Sequence, residues 1–133
     1  MEEIEIIFYE TADGNCPVID FIDGLSKKMR EKIFKSLDIL KIKGNSLREP
    51  YSKPLEDGIF ELRYKVGKDI TRTLYFFYIG KKIIMTNGFV KKTQRTPRSE
   101  IDLAKARRED YIKREEAIKN ENLRGVQERP AEK

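Results

Sequence analysis

Histidine is missing from this sequence, so the side chain that most often moves protons at neutral pH takes no part in its chemistry. Any catalytic proton transfer falls to Lys, Arg, Tyr or the carboxylates. With no histidine and a single cysteine, a zinc site has almost no ligands to draw on, and Cys16 has no partner for an internal disulfide. No stretch approaches the ~20 consecutive apolar residues of a membrane span, and the acidic opening Met1-Glu2-Glu3 is the wrong start for a signal peptide. The expectation is a soluble, cytoplasmic protein working without metal, cofactor or membrane.

Its 133 residues, 38% of them hydrophobic, with six tyrosines and seven phenylalanines, suffice for one modest core and not for two. The net charge of +5 is unevenly spread. Residues 1–26 contribute −7, residues 27–52 contribute +5, residues 53–98 contribute +7, and residues 99–133 balance. Positive charge in the middle of the chain is what a protein that meets a polyanion carries. A solvated basic surface on an ordinary protein gives the same count.

Ile4 to Glu10 reads as a strand, followed by a turn at Thr11 to Asn15. Asn15 or Cys16 then caps a helix opened by Pro17, with Val18, Phe21, Ile22 and Leu25 at helical spacing. After a break at Gly24 to Ser26, the stripe Met29, Ile33, Leu37, Leu40 marks a longer helix ended by Gly44-Asn45. Lys28, Lys32 and Lys35 lie off that stripe and read as a solvated face. Asn45 to Gly58, with Pro50 and Pro54, reads as a loop.

Three strands come next. In Ile59 to Val66, alternation sends Phe60, Leu62, Tyr64 and Val66 to one face and Glu61, Arg63 and Lys65 to the other. Ile70 to Ile79 is apolar on both parities from Leu74 onward, as a central strand is. Lys82 to Phe89 leads into an exit with four cations, Lys91, Lys92, Arg95 and Arg98. Thr96-Pro97 reads as a cap and first turn of a last helix with Ile101, Ala104 and Tyr111 near one face. Past Ile112 the sequence is charged, and the helix is expected to run into solvent and fray, with disorder in its last ten or so residues. The pattern predicts an α+β domain over residues 1–112: an antiparallel sheet of about four strands, two N-terminal helices on one face and a C-terminal helix. Residues 113–133 form a charged extension.

Lys53-Pro54-Leu55-Glu56-Asp57-Gly58, Glu61-Leu62-Arg63, Arg72-Thr73-Leu74-Tyr75 and Gly88-Phe89-Val90-Lys91-Lys92 with Thr96-Pro97 keep a characteristic order. In these segments, from about Asn15 to Tyr111, the chain resembles the phage-derived, HigB-like branch of the RelE toxin superfamily. That resemblance implies a RelE-like sheet with the N-terminal strand in it. It also implies the toxin of a type II toxin–antitoxin pair: an endoribonuclease cutting mRNA on the translating ribosome and neutralised by a helix-turn-helix antitoxin. Where many HigB-like relatives have a histidine close to the glycine-phenylalanine pair, this chain has Thr86-Asn87, and Asn87 cannot shuttle protons.

Metal-free RNA cleavage needs activation of a ribose 2′-OH, in-line attack on phosphorus, stabilisation of the added charge and protonation of the 5′-oxygen. It leaves a 2′,3′-cyclic phosphate and a 5′-hydroxyl. Arg63 suits charge stabilisation because a guanidinium grips phosphate bidentately, and Arg72 on the next strand is placed to clamp the same phosphate. Pairing of Arg63 with Glu61 is the structural alternative. Alternation lets only one of Lys91 and Lys92 face the site, and Lys92 is taken as the third catalytic residue. Crowding by Arg63, Arg72 and Lys53 would lower a lysine pKa, and Lys53 is a second proton carrier. Lys53, Lys65, Lys91, Arg95 and Arg98 are the expected RNA contacts. Tyr64, Tyr75 and Tyr78 either stack on bases or fill the core. A noncatalytic RNA-binding module and a phage-derived protein-interaction module of the same fold remain the alternatives.

Overall fold

In the computed structural model, which describes residues 4–92 and 95–128, the chain runs β1 (Glu5–Phe8), α1 (Pro17–Asp23), α2 (Lys27–Lys43), a 3-10 turn at Gly44–Ser46, β2 (Ser52–Glu56), β3 (Ile59–Val66), β4 (Asp69–Tyr78), β5 (Lys82–Val90) and α3 (Arg98–Glu128). Pro17 opens α1 behind Cys16, which caps it through the backbone alone. Ser26 caps α2, its Oγ accepting from the Met29 N–H at 3.2 Å. The stripe Met29, Ile33, Leu37, Leu40 is buried, as its spacing predicts.

The sheet has the order β1-β5-β4-β3-β2. Strands β2 to β5 form an antiparallel meander, while β1 lies parallel to β5, Glu5 facing Lys82 and Phe8 facing Met85. Two expectations are corrected here. The sheet is mixed rather than antiparallel, because strand direction is set by how the chain returns over α1 and α2, which no local pattern records. It also has five strands, since Ser52–Glu56 pairs with β3 despite Pro54. A proline is tolerated there because β2 is an edge strand whose outer backbone needs no partner.

Each face of the sheet carries its own core. Leu62, Tyr64, Tyr75, Ile83 and Met85 pack against α1 and α2 on one side. Ile59, Leu74, Phe76, Ile84 and Phe89 pack with Ala104 of α3 on the other, where Tyr111 meets Phe76 and Tyr78 edge-on at 6.1 and 5.4 Å. The face opposite the N-terminal helices is therefore partly roofed by α3. Tyr9, just past β1, is tied to the same helix: its hydroxyl donates to Asp110 Oδ2 at 2.6 Å, and the Arg107 and Arg114 guanidiniums lie over its ring. Backbone helix continues unbroken to Glu128. Of the last ten or so residues, for which disorder was expected, 124–128 continue the helix and 129–133 lie outside the described residues. Among the described residues no helix is long and apolar enough to cross a membrane.

One residue of β5 is inserted between paired positions: Leu74 faces Asn87 while Tyr75 faces Met85, leaving Thr86 as a bulge. Its hydroxyl lies 3.2 Å from Leu74 O and 2.6 Å from Asn87 Oδ1, and its carbonyl accepts from Arg107 Nη1 at 2.9 Å. Beyond the bulge Gly88 turns toward α1, where a Cβ would come within 2.6 Å of Phe21 Cδ2 and 3.3 Å of Thr73 Cγ2. Gly88→Ala is expected to overpack this contact and destabilise the fold by about 1–3 kcal/mol. Urea unfolding measures it, and Phe21→Leu in the same chain should restore part of the loss.

Candidate active site

Strand register sets Lys53, Arg63 and Arg72 in two adjoining rows of the sheet. Lys53 of β2 stands opposite Glu61 of β3, Arg63 of β3 opposite Arg72 of β4, and Arg72 opposite Phe89 of β5. The Lys91 N–H still bonds Ile70 O at 2.9 Å, so strand geometry persists past the end of β5.

Two guanidiniums directly opposite one another repel. Glu61, only 1% exposed, holds them together. Its Oε1 accepts from Arg63 Nε at 3.2 Å and lies 3.4 Å from Arg72 Nε, at ion-pair distance but without hydrogen-bond geometry. Its Oε2 accepts from the hydroxyl of Thr96. Thr96 was expected to cap α3; its side chain is instead spent on this carboxylate. One carboxylate between two guanidiniums leaves a fixed net positive charge. Arg72, nearly buried, also donates from Nη1 to Thr71 O at 3.1 Å, and burial lowers its pKa. Arg63 is the more exposed of the pair and reaches Glu49 at 4.0 Å. The expected Arg63–Glu61 pairing and the expected Arg63–Arg72 neighbourhood are thus both present, and one geometry supplies both.

A cleft of about 400 Å³ opens over this group, lined by Lys53, Glu61, Arg63, Lys91, Arg95 and Arg98 together with Glu56, Thr96 and Ile101. Lys91 is half-buried there. Its pKa is pushed down first by burial, then by Arg72, Arg63 and Lys53, against the pull of Glu61. Arg98 is already engaged at the cleft wall, gripping Glu56 through Nη1 at 2.7 Å and Nη2 at 2.5 Å. With Lys105 also bound, Glu56 is held well below the usual carboxylate range, to about 2.

Lys92, taken from the sequence as catalytic, is exposed and does not line the cleft; Lys91 does. The bulge is the reason. Uninterrupted alternation from Ile84 would put Lys92 on the Ile84 face, but the extra residue at Thr86 moves Asn87, Phe89 and Lys91 there instead. Lys65 is exposed in a neighbouring cleft that Arg63 and Arg72 also line. The tyrosines resolve as core: Tyr64 bonds Thr73 Oγ1 at 2.8 Å, Tyr75 bonds Ser52 Oγ at 2.5 Å, and Tyr78 packs on Tyr111. Asn87 donates to Glu100 Oε1 at 2.9 Å and Glu100 O at 3.2 Å, fastening the bulge to the start of α3. Sequence reasoning missed Thr96 as a partner of Glu61, because nothing local links residues so far apart.

A small α+β protein with a fixed cationic cleft at the exposed part of its sheet is the class this geometry defines. Residues 20–109 match the family model described as phage derived protein Gp49-like (DUF891), and the chain belongs to that family. A comparison with curated proteins gives no match.

Two outcomes test the electrostatics. Glu61→Gln keeps the size but removes the charge that holds Arg63 and Arg72, and is expected to destabilise the protein by about 1–3 kcal/mol in urea unfolding. Lys91 should behave oppositely. Its folded pKa lies below the ordinary 10.5, so its charged form weakens the fold at neutral pH, and the weakening fades as pH rises toward 10.5. Lys91→Met should therefore raise the urea midpoint at neutral pH and lose that advantage in alkali.

Proposed function

We propose that this protein is the toxin of a type II toxin–antitoxin pair, a metal-independent endoribonuclease that cuts mRNA on the translating ribosome in the bacterial cytoplasm. One observation carries the reading: Arg63, Lys53 and Lys91 line one cleft, Arg72 stands opposite Arg63 on the next strand, and both guanidiniums lie at ion-pair distance from a buried carboxylate. Membership of the Gp49-like family, which is allied to RelE- and HigB-like toxins, supports it.

In this mechanism Arg63 binds the non-bridging oxygens of the scissile phosphate, and Arg72 behind it adds fixed positive charge that needs no reorganisation as the transition state forms. Lys91, in its amine form, takes the proton from the ribose 2′-OH. The 2′-oxygen attacks phosphorus, the bond from phosphorus to the 5′-oxygen breaks, and the ammonium of Lys53 protonates that oxygen. A 2′,3′-cyclic phosphate and a 5′-hydroxyl result. A lysine is a usable base here because burial and its cationic neighbours favour the amine. Activity should rise with pH along a limb set by Lys91, below 10.5. The charge that binds RNA also suits an acidic segment of a helix-turn-helix antitoxin, which would silence the protein by covering the cleft or keeping it off the ribosome.

Induced expression in a bacterial host, with growth followed and mRNA 5′ ends mapped, tests this directly. Wild type should arrest growth and leave in-frame cuts with 5′-hydroxyl ends. Lys91→Ala should reduce cutting about 10²–10⁴-fold, while Lys92→Ala should cut like wild type. Arrest without cuts would favour a noncatalytic binding module, and loss of cutting in Lys92→Ala alone would return the role to that residue.

A further inference from the structure

A second cleft, of about 420 Å³, opens on the α2 side of the Arg63–Arg72 pair. Its cations are Lys32 and Lys35 of α2, Lys65 of β3, and the two arginines, and among the described residues no carboxylate lines it. Its remaining surface is largely apolar, with Ile39, Pro50 and Tyr51 on the walls. Tyr51 is 59% exposed and Ile39 47%, a poor placement for ordinary core residues. Arg63 lines this cleft and the first one, so the two meet at the residue that grips the scissile phosphate.

Cations around an apolar wall with an exposed tyrosine suit a nucleotide: the base has a π-face to stack, and its phosphates seek the lysines. An acidic protein segment would satisfy the lysines but leave the tyrosine ring unused. We infer that this second cleft seats a nucleotide adjoining the cut site on the same RNA strand, its base against Tyr51 and its backbone on Lys32, Lys35 and Lys65. The inference rests on the ribonuclease reading above. It gives the α2 lysines, which the sequence leaves as a solvated face, a part in choosing where the strand is cut.

The test uses the full chain on purified ribosomes programmed with a reporter mRNA, measuring single-turnover rates and the nucleotides flanking each cut. Tyr51→Ala is expected to lower kcat/KM about tenfold and to flatten the flanking-nucleotide preference, with Tyr51→Phe restoring both. Lys32→Ala with Lys35→Ala should lower kcat/KM at low salt and weaken its salt dependence. Wild-type rates and preferences in these variants, with cutting still dependent on Lys91, would overturn the inference and leave the ribonuclease reading standing; the cleft would then be free for an acidic protein partner. A rate loss with the flanking preference unchanged would also overturn it, since the cleft would be touching something other than the mRNA strand. No cutting by wild type sinks both.

Discussion

The structure depends on one buried carboxylate. Strand pairing forces Arg63 and Arg72 into direct opposition, and in a low-dielectric sheet that arrangement stands only with a counter-charge between them. Glu61 supplies it from two residues away on the same strand, and Thr96 donates to its second oxygen. The carboxylate therefore does more than neutralise. It anchors the segment leading into α3 to β3, and it leaves a net positive charge whose position is set before any ligand arrives. Preorganised charge of this kind is what phosphate chemistry needs, because water dipoles then need not be reoriented during the reaction.

Around that centre, electrostatics and packing divide the work. The apolar faces of the sheet are closed by α1 and α2 on one side and α3 on the other. The edge where Lys53, Arg63 and Lys91 emerge is the part that neither side covers. Peripheral pairs such as Arg98 with Glu56 and Arg108 with Asp57 lock α3 to the end of β2 and the turn after it, and the first of them forms one wall of the cleft. Exposed pairs of this type contribute little stability individually. Their effect here is geometric, since they fix where the roof over the sheet ends.

Much of this was legible in the sequence, for physical reasons that can be named. Helical stripes such as Met29, Ile33, Leu37, Leu40 and the two-residue alternation of β3 are local signals, and both elements form where they point. The placement of Arg63 beside Arg72 followed from the short turn between their strands. What failed was non-local. Pro54 disguised an edge strand as a loop, the parallel course of β1 left no trace in its residues, and Thr96 looked like a helix cap until tertiary structure brought Glu61 to it. Which of Lys91 and Lys92 lines the cleft was decided by a single extra residue in β5.

That extra residue has a consequence for how this stretch tolerates change. Between Ile84 and Lys91 the count of residues, more than their identity, decides which side chains look into the cleft. A substitution at most of these positions alters one contact, whereas a single insertion or deletion inverts the whole segment and exchanges one lysine for its neighbour. Because Lys92 follows Lys91, a deletion would still deliver a lysine to the cleft, whereas an insertion would bring Val90 there, and either would turn Phe89 and Asn87 out of their places. The doubled lysine is thus buffered against a slip in one direction in chemistry, and in neither direction in packing.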